Sequence, residues 1–271
     1  MRYGQEWWPS SFDLVDTPTG MQNTFEIGNY DCASRTTDEC SNECTWLKRE
    51  NKCVPEGLWV KDKQGATFEL DTGSSITALS PTYCSAQNLT TTKTVVPEHY
   101  GSAPNAKPSP TEYPHTVLGV FTHPTCTQES LAGVPEGGGL IGLRPATSQD
   151  KVPYSFMNSV PYGDRKITID KESGTVCVGS ACEQVLTERP TNFIDVGTLS
   201  LLGYNFENKK ILIDTGSTQT WKMNDEICIL GNNDIQKLHI DYDQREFRYL
   251  VNESNIEAAC GPDAKAGNWN A

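Results

Sequence analysis

One tetrapeptide occurs twice in this chain of 271 residues, as Asp71-Thr72-Gly73-Ser74 and as Asp214-Thr215-Gly216-Ser217. Each copy follows a strand-like run, Phe68-Glu69-Leu70 before the first and Ile211-Leu212-Ile213 before the second. With ordinary residue usage of roughly 5–7% each, one Asp-Thr-Gly-(Ser/Thr) match arises by accident in about one chain in a hundred. Two copies, both at the end of an expected strand, are far rarer. Paired carboxyls suit general acid–base chemistry, because two of them held about 3 Å apart cannot both ionise and must share a proton. One then acts as base and the other as acid, and the titration belongs to the pair. Taken singly, either copy also reads as a strand followed by a Gly turn, with Asp bonding its own backbone.

Positioning two such carboxyls requires strands, and the sequence supplies them. Leu58-Trp59-Val60 and Ala66-Thr67-Phe68-Glu69-Leu70 flank the polar Lys61-Asp62-Lys63-Gln64-Gly65, which reads as a hairpin. Further short strand-like runs fall at Thr116–Phe121, Lys166–Ile169, Gly174–Val178, Lys210–Ile213, Cys228–Leu230 and Glu246–Leu250, and helical stretches are few. The Pro-rich stretch Ser102–Pro110 reads as an exposed loop. Downstream of the two tetrapeptides lie Gly139-Leu140-Ile141-Gly142-Leu143 and Cys228-Ile229-Leu230-Gly231-Asn232, each containing apolar-apolar-Gly. That pattern is weak alone and gains weight from its order after each Asp-Thr-Gly.

On these residues the chain resembles the pepsin-like aspartic endopeptidases, whose two lobes each contribute Asp-Thr-Gly-(Ser/Thr) and later an apolar-apolar-Gly strand threaded beside it. Ser75–Ser80 and Thr218–Trp221 look like the family's continuation strands, and Cys228–Lys237, Ile240–Asp243 and Glu246–Leu250 are similar to its closing helix and strand pair. The resemblance covers roughly Leu58 to Leu250. It implies a mainly β, bilobal fold with pseudo-twofold symmetry, in which Asp71 and Asp214 hold a water that attacks a peptide bond of an extended polypeptide. Thr72 and Thr215 would hydrogen-bond across the pseudo-dyad, Gly73 and Gly216 would let the backbone turn tightly beneath the carboxyls, and Ser74 and Ser217 hydroxyls would bond them from outside. Tyr100, in Tyr100-Gly101-Ser102, is the candidate for the family's flap tyrosine, with Tyr113 as the alternative. A Cys177–Cys182 disulfide, a monomeric state and the absence of cofactor and metal are also implied.

The chain departs from that pattern in one respect. Asp71 and Gly142 are 71 residues apart, but Asp214 and Gly231 only 17, room for one short hairpin. The C-terminal lobe is therefore expected to be reduced, which keeps open a non-catalytic peptide- or protein-binding member of the same fold. A two-carboxylate glycosidase does not explain why both acids sit in the same tetrapeptide. Glu69 alternates onto the face of Thr67 and Asp71, so it is expected to stay out of the core and to add negative charge near the pair.

Composition bounds the rest. Charged residues are 21% and apolar ones 36%, with no apolar run near the ~18 residues of a membrane span. A net charge of −13 repels phosphate backbones and anionic lipid, which argues against nucleic-acid binding. Ten cysteines form an even set, as expected of disulfides in a secreted or endomembrane protein. The sequons at Asn88 and Asn252 agree with that compartment, although Met1–Trp8 lacks the apolar core of a signal peptide. Proximity suggests Cys84–Cys126 and Cys228–Cys260 as further pairs. Cys32, Cys40, Cys44 and Cys53 suggest a stapled segment, with a zinc site as the alternative; against zinc stand the absence of any earlier His and of Cys-x-x-Cys. The expected division is a Cys-rich segment over 1–56, an N-terminal lobe over 57–165 and a reduced C-terminal lobe over 166–271.

Overall fold

Short apolar runs punctuated by Gly, Pro, Asn and Asp cannot propagate long helices, and the chain folds mainly as strands. The computed structural model describes residues 23–28, 31–40, 43–48, 50–95, 98–100, 103–130, 135–146, 155–182, 194–198, 203–206, 209–244, 246–251 and 253–261. For 98–100, 103–106, 194–198, 203–206, 209–211, 246–251 and 253–255 it describes the backbone alone.

In chain order the first strands are β1 (Asn23–Glu26), β2 (Cys44–Leu47), β3 (Lys52–Pro55), β4 (Trp59–Lys61), β5 (Thr67–Asp71) and β6 (Thr77–Leu79), followed by helix α1 (Pro81–Ala86). Next come β7 (Glu98–Tyr100), β8 (Ala103–Ala106), β9 (Ser109–Pro110), β10 (His115–Val117), β11 (Val120–Thr122), β12 (Thr125–Cys126) and β13 (Gly139–Gly142). Helix α2 (Phe156–Ser159) precedes β14 (Lys166–Asp170), β15 (Thr175–Val178), β16 (Ile194–Thr198), β17 (Gly203–Phe206) and β18 (Lys209–Asp214). The order closes with β19 (Trp221–Lys222), β20 (Ile227–Gly231), β21 (Ile235–Asp241), β22 (Glu246–Val251) and helix α3 (Glu253–Cys260).

Two sheets carry the repeated tetrapeptides, and they share a local plan. In the first, of order β4-β5-β13-β6-β12-β9, β5 pairs antiparallel with β4 and parallel with β13, which pairs antiparallel with β6. In the second, of order β17-β18-β20-β19, β18 stands between β17 and β20 in the same way, and β19 takes the place of β6. The short interval after Asp214 thus folds as the single hairpin that its length allows. The longer first interval adds α1 and β7–β12 between β6 and β13. Beside β19, where the first sheet continues into β12 and β9, helix α3 packs instead, tied to β20 by Cys228–Cys260.

Both faces of the central strands are covered. Phe68 and Leu70 on one side of β5 and Ile141 in β13 are essentially inaccessible, each fully buried side chain contributing roughly 1.5–3 kcal/mol. Ser80 caps α1 by accepting from the Tyr83 N–H, and Pro81 occupies the first turn, where a missing N–H costs nothing. That places Tyr83 edge-on to Phe68, ring centroids 5.4 Å apart. Cys84–Cys126 locks α1 to β12.

A third sheet, of order β1-β15-β14-β21-β22-β16, buries Ile167, Ile169, Val176, Val178, Leu238 and Ile240 on one face. Its other face carries cross-strand polar pairs, Thr168 with His239 at 2.8 Å and Lys166 with Asp241 at 2.9 Å. Its first strand comes from residues 23–26, paired with β15, and Ile27 bridges to Val60. The cysteines that follow pair as Cys32–Cys44 and Cys40–Cys53 around the β2–β3 hairpin, which leaves no thiolate for the zinc alternative. Cys177–Cys182 also forms, so all ten cysteines are paired.

Four expectations need correction. The Ser102–Pro110 stretch is not simply a loop: β8 pairs with β7, and β9 forms an edge strand against β12, a position that tolerates proline. The Thr116–Phe121 run is the hairpin β10–β11, turned at Leu118 and Gly119, both with positive φ. The expected closing helix is a single 3₁₀ turn over Asn232–Asp234 leading into β21. Glu69 is buried, because β5 is central and covered on both faces. Of the sequons, Asn88 is exposed after α1, and Asn252 lies outside the described residues. Among the described residues no helix is long and apolar enough to cross a membrane.

Candidate active site

β5 and β18 end in Asp71 and Asp214, and each aspartate lies opposite the glycine of its parallel neighbour, Asp71 against Gly142 and Asp214 against Gly231. These two glycines have a steric reason. A Cβ on Gly142 would lie 2.5 Å from the Ile76 carbonyl oxygen, and one on Gly231 would clash with the backbone of Gln219. Ile76 and Gln219 are each five residues beyond their aspartate. In both copies the chain leaving the Asp-Thr-Gly-Ser loop crosses directly over the apolar-apolar-Gly strand, and only hydrogen fits between. Arg144 N–H then donates to the Ser74 carbonyl at 2.9 Å, and Asn232 N–H to that of Ser217 at 2.7 Å, pinning the loops.

The two loops are joined by a reciprocal set of hydrogen bonds. Thr72 N–H donates to Thr215 Oγ1 at 3.0 Å, and Thr215 N–H donates to Thr72 Oγ1 at 3.1 Å. Thr72 Oγ1 donates to the Ile213 carbonyl at 2.8 Å, and Thr215 Oγ1 to the Leu70 carbonyl at 2.5 Å. Both threonines are buried, so these bonds face no competition from water. They fix the relative position of the two strand ends and therefore of the two carboxyls.

The carboxyls themselves meet. Both reach one point, since a Cβ on Gly73 would lie 2.6 Å from Asp214 Oδ1 and 3.1 Å from Asp71 Oδ1. Burial first, and then the charge of Asp214 and the bond to it, hold the Asp71 carboxyl well above the usual carboxylate range. The Gly73 and Ser74 N–H groups oppose that by donating to Asp71, the former at 2.7 Å. Around Asp214, Gly216 N–H donates to Oδ1 at 3.1 Å and Ser217 Oγ to Oδ2 at 2.7 Å.

Each expected site residue can be located against this geometry. Asp71, Thr72, Gly73, Asp214, Thr215, Gly216 and Ser217 converge. Ser74 contributes differently: its N–H serves Asp71, while its hydroxyl accepts from the Ile76 N–H at 3.2 Å. Gly73 and Gly216 lie in the turns that follow the two aspartates, neither with positive φ. Their role is space, because a Cβ on Gly73 would lie 2.6 Å from Asp214 Oδ1 and one on Gly216 would lie 2.7 Å from Asp71 Cγ. Tyr100 ends β7 of the β7–β8 hairpin; its side chain, Gly101 and Ser102 lie outside the described residues. Tyr113, the alternative, is 68% exposed. Cys177–Cys182 lies in and after β15, in the β1-β15-β14-β21-β22-β16 sheet.

Sequence reasoning placed Glu69 near the pair but outside the core, and did not single out Glu56. Glu69, two residues before Asp71 on β5, is buried with its carboxyl against Gly57, and the neighbouring Glu56 is part-buried. The Pro55–Gly57 segment that carries Glu56 is fastened beyond the second motif: Thr218 Oγ1 donates to the Glu56 carbonyl at 2.6 Å, and Asn233 Nδ2 to the Pro55 carbonyl at 3.2 Å. The available signal was the two-residue spacing of Glu69 from Asp71. No group of three or more His, Cys, Asp or Glu that could hold a metal ion occurs among the described residues. Comparison with protein-family models finds no match, and comparison with curated proteins finds none either.

Proposed function

We propose that this protein is a pepsin-like aspartic endopeptidase with two pseudo-symmetric lobes, the C-terminal one reduced. The observation that carries the reading is the convergence of the Asp71 and Asp214 carboxyls beside Gly73 and Gly216, held by the reciprocal Thr72–Thr215 bonds. In the working state one carboxyl is ionised and one protonated. The ionised partner takes a proton from a water positioned between them as that water attacks a peptide carbonyl. The protonated partner hydrogen-bonds the developing oxyanion and then supplies a proton to the departing amine. Ser217 and the Gly73, Ser74 and Gly216 N–H groups stabilise whichever carboxyl bears the charge. The substrate is an extended polypeptide, and five disulfides fit a secreted or endomembrane setting.

A binding-only protein of the same fold is the second reading, favoured by the short interval between Asp214 and Gly231. It expects a blocked cleft or carboxyls too far apart to share a proton, and the approach of both carboxyls to Gly73 weighs against the latter. The deciding experiment is cleavage of an unfolded protein from about pH 3 to about pH 7, with Asp71→Asn, Asp214→Asn and a statine-type inhibitor as controls. Turnover abolished by all three supports the endopeptidase. No cleavage at any pH by a folded, fully oxidised sample overturns it.

A further inference from the structure

We propose that Glu69 is a third acid of the Asp71–Asp214 centre, a positioning residue whose ionisation sets the upper pH limit of cleavage. This inference rests on the endopeptidase reading. Glu69 is 2% exposed, one step along β5 from Leu70 and two from Asp71, on the same face as Asp71. Its carboxyl fills the space that a side chain at 57 would occupy, since a Cβ on Gly57 would overlap Glu69 Oε1.

The groups around it are all acidic. Asp71 on its own strand, Glu56 on the segment before β4, and Asp214 on the facing loop all raise the cost of charging it, after burial itself. β13, on its other flank, reads Gly-Leu-Ile-Gly and brings no charge. β4 pairs Trp59 with Glu69, and the only cation on that strand, Lys61, is exposed at its far end. No hydrogen bond to the Glu69 carboxyl occurs among the described residues, in contrast to the donors around Asp71 and Asp214. Burial and these neighbouring acids therefore hold the Glu69 carboxyl well above the usual carboxylate range, toward its neutral form.

As pH rises, a second negative charge must appear on one of the three. Placing it on the pair puts two charges in direct contact, about 3 Å apart. Placing it on Glu69 puts them about 6–7 Å apart, two strand steps along β5, roughly halving the repulsion. On this proposal Glu69 takes that charge, the smaller repulsion outweighing its lack of donors. The new charge has no donor among the described residues, pushes against Asp71, and opposes the oxyanion that forms in the reaction. Cleavage falls although the pair still holds its proton.

Two measurements on the full oxidised chain test this. The first is the pH profile of kcat/KM for wild type, Glu69→Gln and Glu69→Leu. Both variants are expected to keep the acid limb and move the alkaline limb up by about one pH unit or more. The second is thermal unfolding against pH, which needs no activity. A carboxyl whose folded pKa is raised contributes stability that is complete below its unfolded pKa and is lost as pH rises through the folded one. Glu69→Gln should therefore gain in melting temperature over wild type as pH rises above about 4.3. A pH-independent difference in melting temperature overturns the neutral, buried Glu69. Cleavage with coincident alkaline limbs overturns its role alone, whereas absence of cleavage in wild type overturns the endopeptidase reading.

Discussion

Gly216 backs onto Asp71: a Cβ at that position would lie 2.7 Å from Asp71 Cγ and 2.9 Å from its Oδ1. Gly73 stands to Asp214 in the same way, with Oδ1 at 2.6 Å from the site of a Cβ. Each motif's glycine thus makes room for the other motif's carboxyl, and the two acids are close because neither loop has a side chain at its crossing point. Real Cβ atoms do not approach so near, so one methyl group must push the carboxyls apart.

Gly216→Ala and Gly73→Ala should therefore each lower kcat/KM by about 10²-fold or more, since misplacement near 1 Å has that effect at a reacting centre. Both variants should remain folded, because φ is not positive at either glycine. Near-wild-type turnover in either variant would show that the loops can separate without cost. Peptide cleavage together with circular dichroism reads both quantities.

The threonine bridge predicts a coupling. In Thr72→Val the bond from Thr72 Oγ1 to the Ile213 carbonyl is lost, and the buried Thr215 N–H loses its acceptor. Each unsatisfied buried group costs about 1–3 kcal/mol, so a loss of about 2–4 kcal/mol is expected in denaturant unfolding. Thr215→Val removes the mirror-image bonds, to the Leu70 carbonyl and from the Thr72 N–H. The double variant should cost less than the two singles added, because the groups belong to one network. Strict additivity would mean that the two loops are held independently.

For Asp71 the signs of activity and stability oppose each other. Its folded pKa lies above the unfolded value, mainly through burial and then through Asp214, so its stabilising contribution is present below about pH 3.9 and fades as pH rises through the folded pKa. Asp71→Asn cannot ionise. It should match wild-type stability in acid, exceed it increasingly toward neutral pH, and lose about 10²–10⁴-fold or more in cleavage. Equal pH dependence of unfolding in the two proteins would contradict a raised carboxyl at this position.

What could be read from the sequence was local. The doubled Asp-Thr-Gly-Ser, the strands that precede it and the glycine strands that follow are patterns a few residues long, and period-two alternation correctly put Glu69 and Asp71 on one face. Burial of that face could not be read, because it depends on β5 lying between β4 and β13 and on the Pro55–Gly57 segment being fastened to Thr218 and Asn233. Nor does anything in Asn23–Glu26 announce a partner in Thr175–Val178, about 150 residues away. Ser74 and Ser217 look alike in sequence, yet only the hydroxyl of Ser217 bonds its aspartate. Such differences arise from tertiary crowding, which no local pattern encodes.

The disulfides provide a graded test of the scaffold that is independent of chemistry. Cys84 and Cys126 are 42 residues apart and join α1 to an inner strand of the first motif sheet, whereas Cys177 and Cys182 are 5 apart and close a loop after one strand. If constraint of the unfolded chain dominates, removing the first pair costs about 4 kcal/mol and removing the second about 2 kcal/mol. Paired Cys→Ser variants measured by denaturant unfolding should fall in that order. The Cys84/Cys126 variant should also lose catalytic efficiency, because α1 braces Phe68 through Tyr83 and Phe68 lies on the strand that ends in Asp71. The Cys177/Cys182 variant, altered in the β1-β15-β14-β21-β22-β16 sheet that contains neither motif strand, should unfold more readily while keeping its kcat. The reverse order of stability would mean that native-state packing at Cys177–Cys182, rather than chain entropy, is what that bridge protects.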